Sequence, residues 1–234
     1  GLARGRDTEL ASDAPSTPLS SATTTMRVGL SGSDKRRIAI EFDLTGETHG
    51  SSGIPAGSVI SAATLTLWCS SEALSSATCA AYLVESLVEC DPAVQTWNTQ
   101  GTGVSWHTAG GDYDRSTGVA FSLPIIAGSF DIEGLADIAQ TALDERGGRM
   151  FLLLRKDSET SGAASATFRR CVSDDTDQHP SLAVTYEPRP APPSIPDDPP
   201  ADATDVSDLT GNILWGANRL GTSVAMTDAT PADP

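Results

Sequence analysis

Few residues in this chain are of a type and spacing that could do chemistry. The three histidines, His49, His107 and His179, stand far apart in segments rich in turn residues, and no serine sits in a Gly-x-Ser-x-Gly elbow. Two carboxylate pairs, Glu41 with Asp43 and Asp112 with Asp114, have the residue types of glycoside hydrolysis. In so acidic a chain, carboxylates are expected mainly as solvated surface. The four cysteines, Cys69, Cys79, Cys90 and Cys171, form no CxxC pair and no cluster with histidine, so no metal centre is expected. No cofactor is expected either. Asp174-Asp175-Thr176-Asp177 offers oxygen ligands suited to a structural Ca²⁺, without the spacing of an EF-hand loop. The chain therefore reads as non-catalytic. Its contact chemistry falls to aromatic rings, which stack on sugars and anchor protein interfaces. Trp68, Trp106 and Tyr113 are the candidates for glycan or partner contact.

The elements that must position these residues are strands. Arg37–Leu44 places Ile38, Ile40, Phe42 and Leu44 on one side, and Val59–Cys69 places Leu65, Leu67 and Cys69 on one side with Thr64, Thr66 and Trp68 on the other. Trp68 is thus expected to point away from the main core, and Cys69 to be a buried thiol. A Cys69–Cys79 disulfide across a hairpin remains open. Met26–Leu30, Cys79–Ser86, Val119–Leu123, Met150–Lys156, Ala166–Cys171 and Leu182–Tyr186 read as further strands separated by turn residues. One helix is expected near residues 133–145, capped by Asp131 and ended by Gly147-Gly148. A long Gly-rich loop, 91–114, carries Trp97, Trp106, His107 and Tyr113. The fold class is all-β: an antiparallel, jelly-roll-like β-sandwich with one short helix and an extended C-terminal arm.

The chain has 234 residues and a formal net charge of −16, with 15 Lys and Arg against 31 Asp and Glu. Nucleic-acid binding by counterion release requires clustered cations, so this charge excludes it, and it disfavours anionic membrane surfaces. No run of eighteen apolar residues could form a spanning helix. Gly1–Arg6 contains no apolar signal core. Removal of an initiator Met, cleavage of a signal peptide and trimming all remain open.

Three regions follow from composition: a sandwich over 1–187, a Pro-rich acidic linker over 188–202, and an anchoring arm over 203–234. Pro188, Pro190, Pro192, Pro193, Pro196, Pro199 and Pro200 suit an extended form. Ile213, Leu214 and Trp215 then stand as an apolar island between Gly211 and Gly216. A segment of this kind buries too little to order itself, so the island is expected to anchor against another subunit.

Arg37-Ile38-Ala39-Ile40-Glu41-Phe42-Asp43-Leu44, followed by Ile54-Pro55 and the strand Ala63-Thr64-Leu65-Thr66-Leu67-Trp68, resembles the DNRLRE-type domains, jelly-roll modules related to disaggregatase and carbohydrate-binding modules. Asp7-Thr8 resembles the family's opening strand, and Thr96-Trp97-Asn98 its Thr-Trp-Asn segment. The helix around Leu135–Leu143 and the closing strand His179–Tyr186 also fit, so the likeness covers roughly residues 5–187. Phe168-Arg169-Arg170-Cys171 departs from the family's late Phe-x-Ser-x-Glu segment. Arg36 and Arg37 match its basic strand start, where pairing with Asp43 or Glu41 is expected. The resemblance implies a secreted, glycan-binding module. The missing signal core and the apolar arm lead instead to a structural module of a virus particle, such as a bacteriophage head decoration, fibre or tail accessory protein. On that expectation its partners are other virion subunits and further copies of itself, with a surface glycan as a possible ligand.

Overall fold

The computed structural model describes residues 3–19, 23–46, 53–86, 88–171 and 176–188. These described residues form twelve strands: β1 (Ala3–Ala11), β2 (Thr25–Ser31), β3 (Asp34–Asp43), β4 (Val59–Ser71), β5 (Thr78–Leu83), β6 (Thr99–Gly101), β7 (Val104–Ser105), β8 (Val119–Ser122), β9 (Gly128–Ile132), β10 (Arg149–Lys156), β11 (Ala164–Arg169) and β12 (Ser181–Glu187). One α-helix, α1 (Ala136–Glu145), lies between β9 and β10. The fold is all-β and antiparallel, in keeping with the alternation of β3 and β4.

The main sheet runs β1-β12-β4-β11-β2-β3-β10-β5-β8, with β9 on the second edge of β4. β1 also pairs with β3, so the sheet nearly closes on itself. It forms a sandwich whose front layer is β1, β3, β10, β5 and β8 and whose back layer is β12, β4, β11, β2 and β9. Ile38, Ile40 and Phe42 of β3 meet Leu65 and Leu67 of β4 and Leu152 and Leu154 of β10 in one core. Full burial of each such side chain contributes about 1.5–3 kcal/mol. α1 turns Ile138, Ala139, Ala142 and Leu143 into the same core.

The structure departs from the sequence reading in several elements, among them β6, β7 and β9, which were not expected as strands. α1 starts at Ala136 with Leu135 at its N-cap and no side-chain cap. Asp131 lies instead in β9 opposite Thr66, whose hydroxyl donates to its carboxylate at 2.7 Å. β1 has no apolar alternation, because its core-facing positions include Asp7 and Glu9. Both find buried guanidinium partners. Arg170 Nε donates to Asp7 Oδ1 at 2.8 Å with both side chains 1% exposed, and the Cys171 amide donates to Asp7 Oδ2 at 2.6 Å. Arg36 donates to Glu9 at 3.0 Å and to Asp13 at 2.5 Å. Such a pair offsets its desolvation only when the remaining lone pairs are also satisfied, as the Cys171 amide does here. All four cysteines are free thiols, including Cys69 and Cys79.

Candidate functional site

The outer faces of the two layers are built differently. On the front layer, the in-register residues Leu10, Ala39, Phe151 and Leu153 point away from the main core. They form a second apolar cluster with Val84 and Cys90 and with Trp97 and Trp106, the last two supplied by the long loop. Trp97 is 8% exposed and carries the Arg37 guanidinium 4.7 Å from its ring centroid. The Arg37 side chain then donates to Glu159 at 2.8 and 2.5 Å and to the Gly110 carbonyl at 2.7 Å. Gly110 has φ +92°, and a Cβ there would lie 2.8 Å from the Trp97 ring. Only glycine therefore lets the loop come this close.

These contacts correct the expected arginine partners. Arg36 pairs with Glu9 and Asp13, and Arg37 with Glu159. Glu41 accepts instead from Arg149 at 2.7 Å and from the Cys90 amide at 3.2 Å. Asp43 accepts from the Thr45 and Gly46 amides at 2.9 and 3.1 Å. Glu41 and Asp43 are buried rather than solvated, because these donors replace water. A cleft of about 210 Å³ beside them is lined by Arg6, Glu41, Asp43 and Glu89, with Arg6 paired to Glu89 at 3.0 Å. Its carboxylates are held by donors within the fold.

Trp106 is 6% exposed, and its indole donates to the Thr96 carbonyl at 3.0 Å. It packs the loop and presents no contact surface. Tyr113 is half-buried against Tyr82, with ring centroids 4.6 Å apart, and its hydroxyl accepts from Arg155. It lines a cleft of about 380 Å³ with Glu85, His107, Asp112, Arg115 and Arg155. Asp112 shapes the cleft wall by accepting from the His107 and Thr108 amides, each at 2.7 Å. Arg155 Nε is enclosed there without a hydrogen-bond partner. Burial pushes the Tyr82 phenol up, while hydrogen bonds from Ser116 hold the Asp114 carboxyl down. Cationic and acidic groups alternate around this cleft, so it suits a polar ligand of no single charge.

Among the described residues, the back layer carries no such cover. Trp68 is half-buried in β4, in phase opposite to Leu65, Leu67 and Cys69. It faces Ser129 across the β4–β9 pair and is flanked by Thr66 and Ser70 on its own strand. Ser165, Thr167 and Arg169 of β11 share this face, as do Ser181, Ala183 and Thr185 of β12. The result is a pleated, hydroxyl-rich surface with one aromatic plate.

The structure thus places Trp68 and Tyr113 on opposite faces of the sandwich and withdraws Trp106 into a core. They are not one site. Sequence reasoning missed Tyr82 and Arg155, which complete the Tyr113 cleft. Both lie on the solvent-side phase of strands it had found. Among the described residues, no three His, Cys, Asp or Glu side chains come together to hold a metal. Asp174, Asp175, His49 and the Ile213-Leu214-Trp215 island lie outside the described residues. No protein-family model matches the chain, and no curated protein is similar to it.

Proposed function

We propose that the chain is a non-catalytic structural and binding module of a virus particle, attached through its C-terminal arm. The observation that supports a particle over a secreted setting is the state of the cysteines. Four thiols stand free, and Cys69, Cys79 and Cys90 are fully enclosed. Domains matured in an oxidising compartment usually pair their cysteines, whereas a particle protein assembled in a reducing cytosol keeps them as thiols. The charged groups inside the fold act as struts between strands, which suits a scaffold rather than a reaction centre. In this reading Ile213, Leu214 and Trp215 bury against another subunit, contributing about 4–8 kcal/mol before ordering costs. The Pro-rich linker gives the tether its reach. Truncation after Tyr186 tests it: the sandwich folds with little loss of Tm, and incorporation into the particle fails. Normal incorporation of the truncated chain overturns the reading.

A second reading, a secreted carbohydrate-binding module, is favoured by the Trp68 face. An indole plate among hydroxyls offers stacking and hydrogen bonding to a sugar ring. The resemblance to DNRLRE-type domains leads the same way. Trp68→Ala tested on a glycan array separates the two, since a purely structural module shows no Trp68-dependent glycan signal.

A further inference from the structure

The two layers leave their open edges on one side of the sandwich. Among the described residues, β8 ends the main sheet and pairs there only with β5, while β9 pairs only with β4. Phe121 of β8 and Phe130 of β9 meet with ring centroids 5.9 Å apart, so the two edges lie side by side. The segment joining β8 to β9 is tied to the loop after β4. The Ala73 amide donates to the Pro124 carbonyl and the Leu123 amide to the Ala77 carbonyl, both at 2.9 Å. This shared tip carries Leu74, Ile125 and Ile126 at 102%, 60% and 77% exposure, three of the five large hydrophobic residues exposed among the described residues.

The charge pattern says what could cover it. Residues 73–84 and 118–130 contain no Asp, Glu, Lys or Arg, in a chain of net charge −16. Edge strands in soluble proteins are normally defended against pairing by charged side chains or bulges. β8 has neither along its length. Two copies of so acidic a chain repel one another over most of their surface. A charge-free edge with an apolar tip is the surface on which they can meet without opposing like charges.

We propose that this surface, the free edge of β8 with Leu74, Ile125 and Ile126, binds a second copy of the chain about a two-fold axis. Two-fold symmetry places β8 antiparallel to its counterpart and joins the front layers of both copies into one continuous sheet. The inference deepens the reading of the chain as an assembly module and rests on it for its setting, but not for its geometry.

Sedimentation of the whole chain over micromolar to submillimolar concentrations tests this. A reversible dimer is expected. The double substitution Leu74→Glu with Ile126→Glu weakens association by about tenfold or more, because the axis brings the new charges together. Val59→Glu with Val104→Glu adds the same charge at exposed positions elsewhere and leaves the dimer near wild type. Circular dichroism melting verifies that both variants fold. A wild-type chain that stays monomeric throughout overturns the proposal, as does equal weakening by both double variants. Dimerisation abolished by Trp215→Ala but untouched by Leu74→Glu with Ile126→Glu assigns self-association to the arm and also overturns it. Incorporation of the chain truncated after Tyr186 bears on the arm alone, so the two readings fail separately.

Discussion

The front and back layers share one core and treat their outer faces in opposite ways. The front face is roofed by a loop whose two tryptophans fill a second apolar cluster, fastened by the Arg37–Glu159 pair. The back face spends no side chains of the described residues on cover and leaves Trp68 among hydroxyls. Both outer tryptophans read alike as candidates from sequence, yet Trp106 has its indole hydrogen satisfied by Thr96, whereas no described residue roofs Trp68. An aromatic residue that has been given a hydrogen-bond partner and an apolar lid is part of the fold. One left half-exposed on a regular strand, where a smaller polar residue would fit the pattern, is the better candidate for contact.

The sharpest way to break this contrast is Trp97→Ala, which removes the ring that Arg37 and Gly110 pack against. The expected cost is about 3–5 kcal/mol, read as a lower urea midpoint. A loss under about 1 kcal/mol would mean that the roof is not part of the cooperative fold.

Next in size is Arg37→Ala, expected to cost about 2–3 kcal/mol. Breaking a buried pair usually costs somewhat more. Here Arg155 remains 3.3 Å from Glu159 and keeps its carboxylate partly compensated.

The enclosed thiols give a dependence on pH. Burial pushes the Cys79 thiol up from 9.0 to about 12. The unfolded thiol therefore ionises first, and the unfolded state binds fewer protons over this window. The contribution is fully present below pH 9 and is lost as pH rises towards 12, at up to about 1.4 kcal/mol per pH unit. Urea titrations at rising alkaline pH should show this decline, reduced in Cys79→Ala. Burial also pushes Cys90 well up. In a Cys171→Ser background, thiol labelling is expected to reach Cys90, beneath the loop, before Cys69 and Cys79 in the sandwich core. Simultaneous labelling of all three would mean that roof and core open together.

The smallest effect on stability is expected for Trp68→Ala, under about 1 kcal/mol, since its ring is only half-buried. A larger loss would place Trp68 in the fold rather than at a contact face.

The layers were legible in sequence where a period could be followed. β3 and β4 alternate and β10 runs apolar from Met150 to Leu154, and the helical spacing of Ile138, Ala139, Ala142 and Leu143 stands clear of its neighbours. What escaped was non-local. Asp7 turns inward because a guanidinium 163 residues away meets it, and Arg37 finds Glu159 at a separation of 122. No window of sequence holds both partners. Asp131 has the residue type of a helix cap and sits just before a helix, but Thr66 on another strand claims it for β9. The burial of Trp106 depends on a cluster assembled from four separate segments. Trp68 was readable because strand phase alone determines its face.

The Asp7–Arg170 pair also sets a timetable. During synthesis the carboxylate of β1 emerges first and the guanidinium that neutralises it 163 residues later. Until then Asp7 faces an apolar interior without its guanidinium, although Glu9 already has Arg36, and one such buried charge is costly enough to keep the strand out. β1 also pairs with β12 at Ala3↔Leu182, a contact that spans nearly the whole sandwich. So long-range a closure is slow, since distant ends must meet before any contact rewards them. The nascent sandwich therefore stays open on the ribosome along the β1 seam and closes only after β11 has emerged.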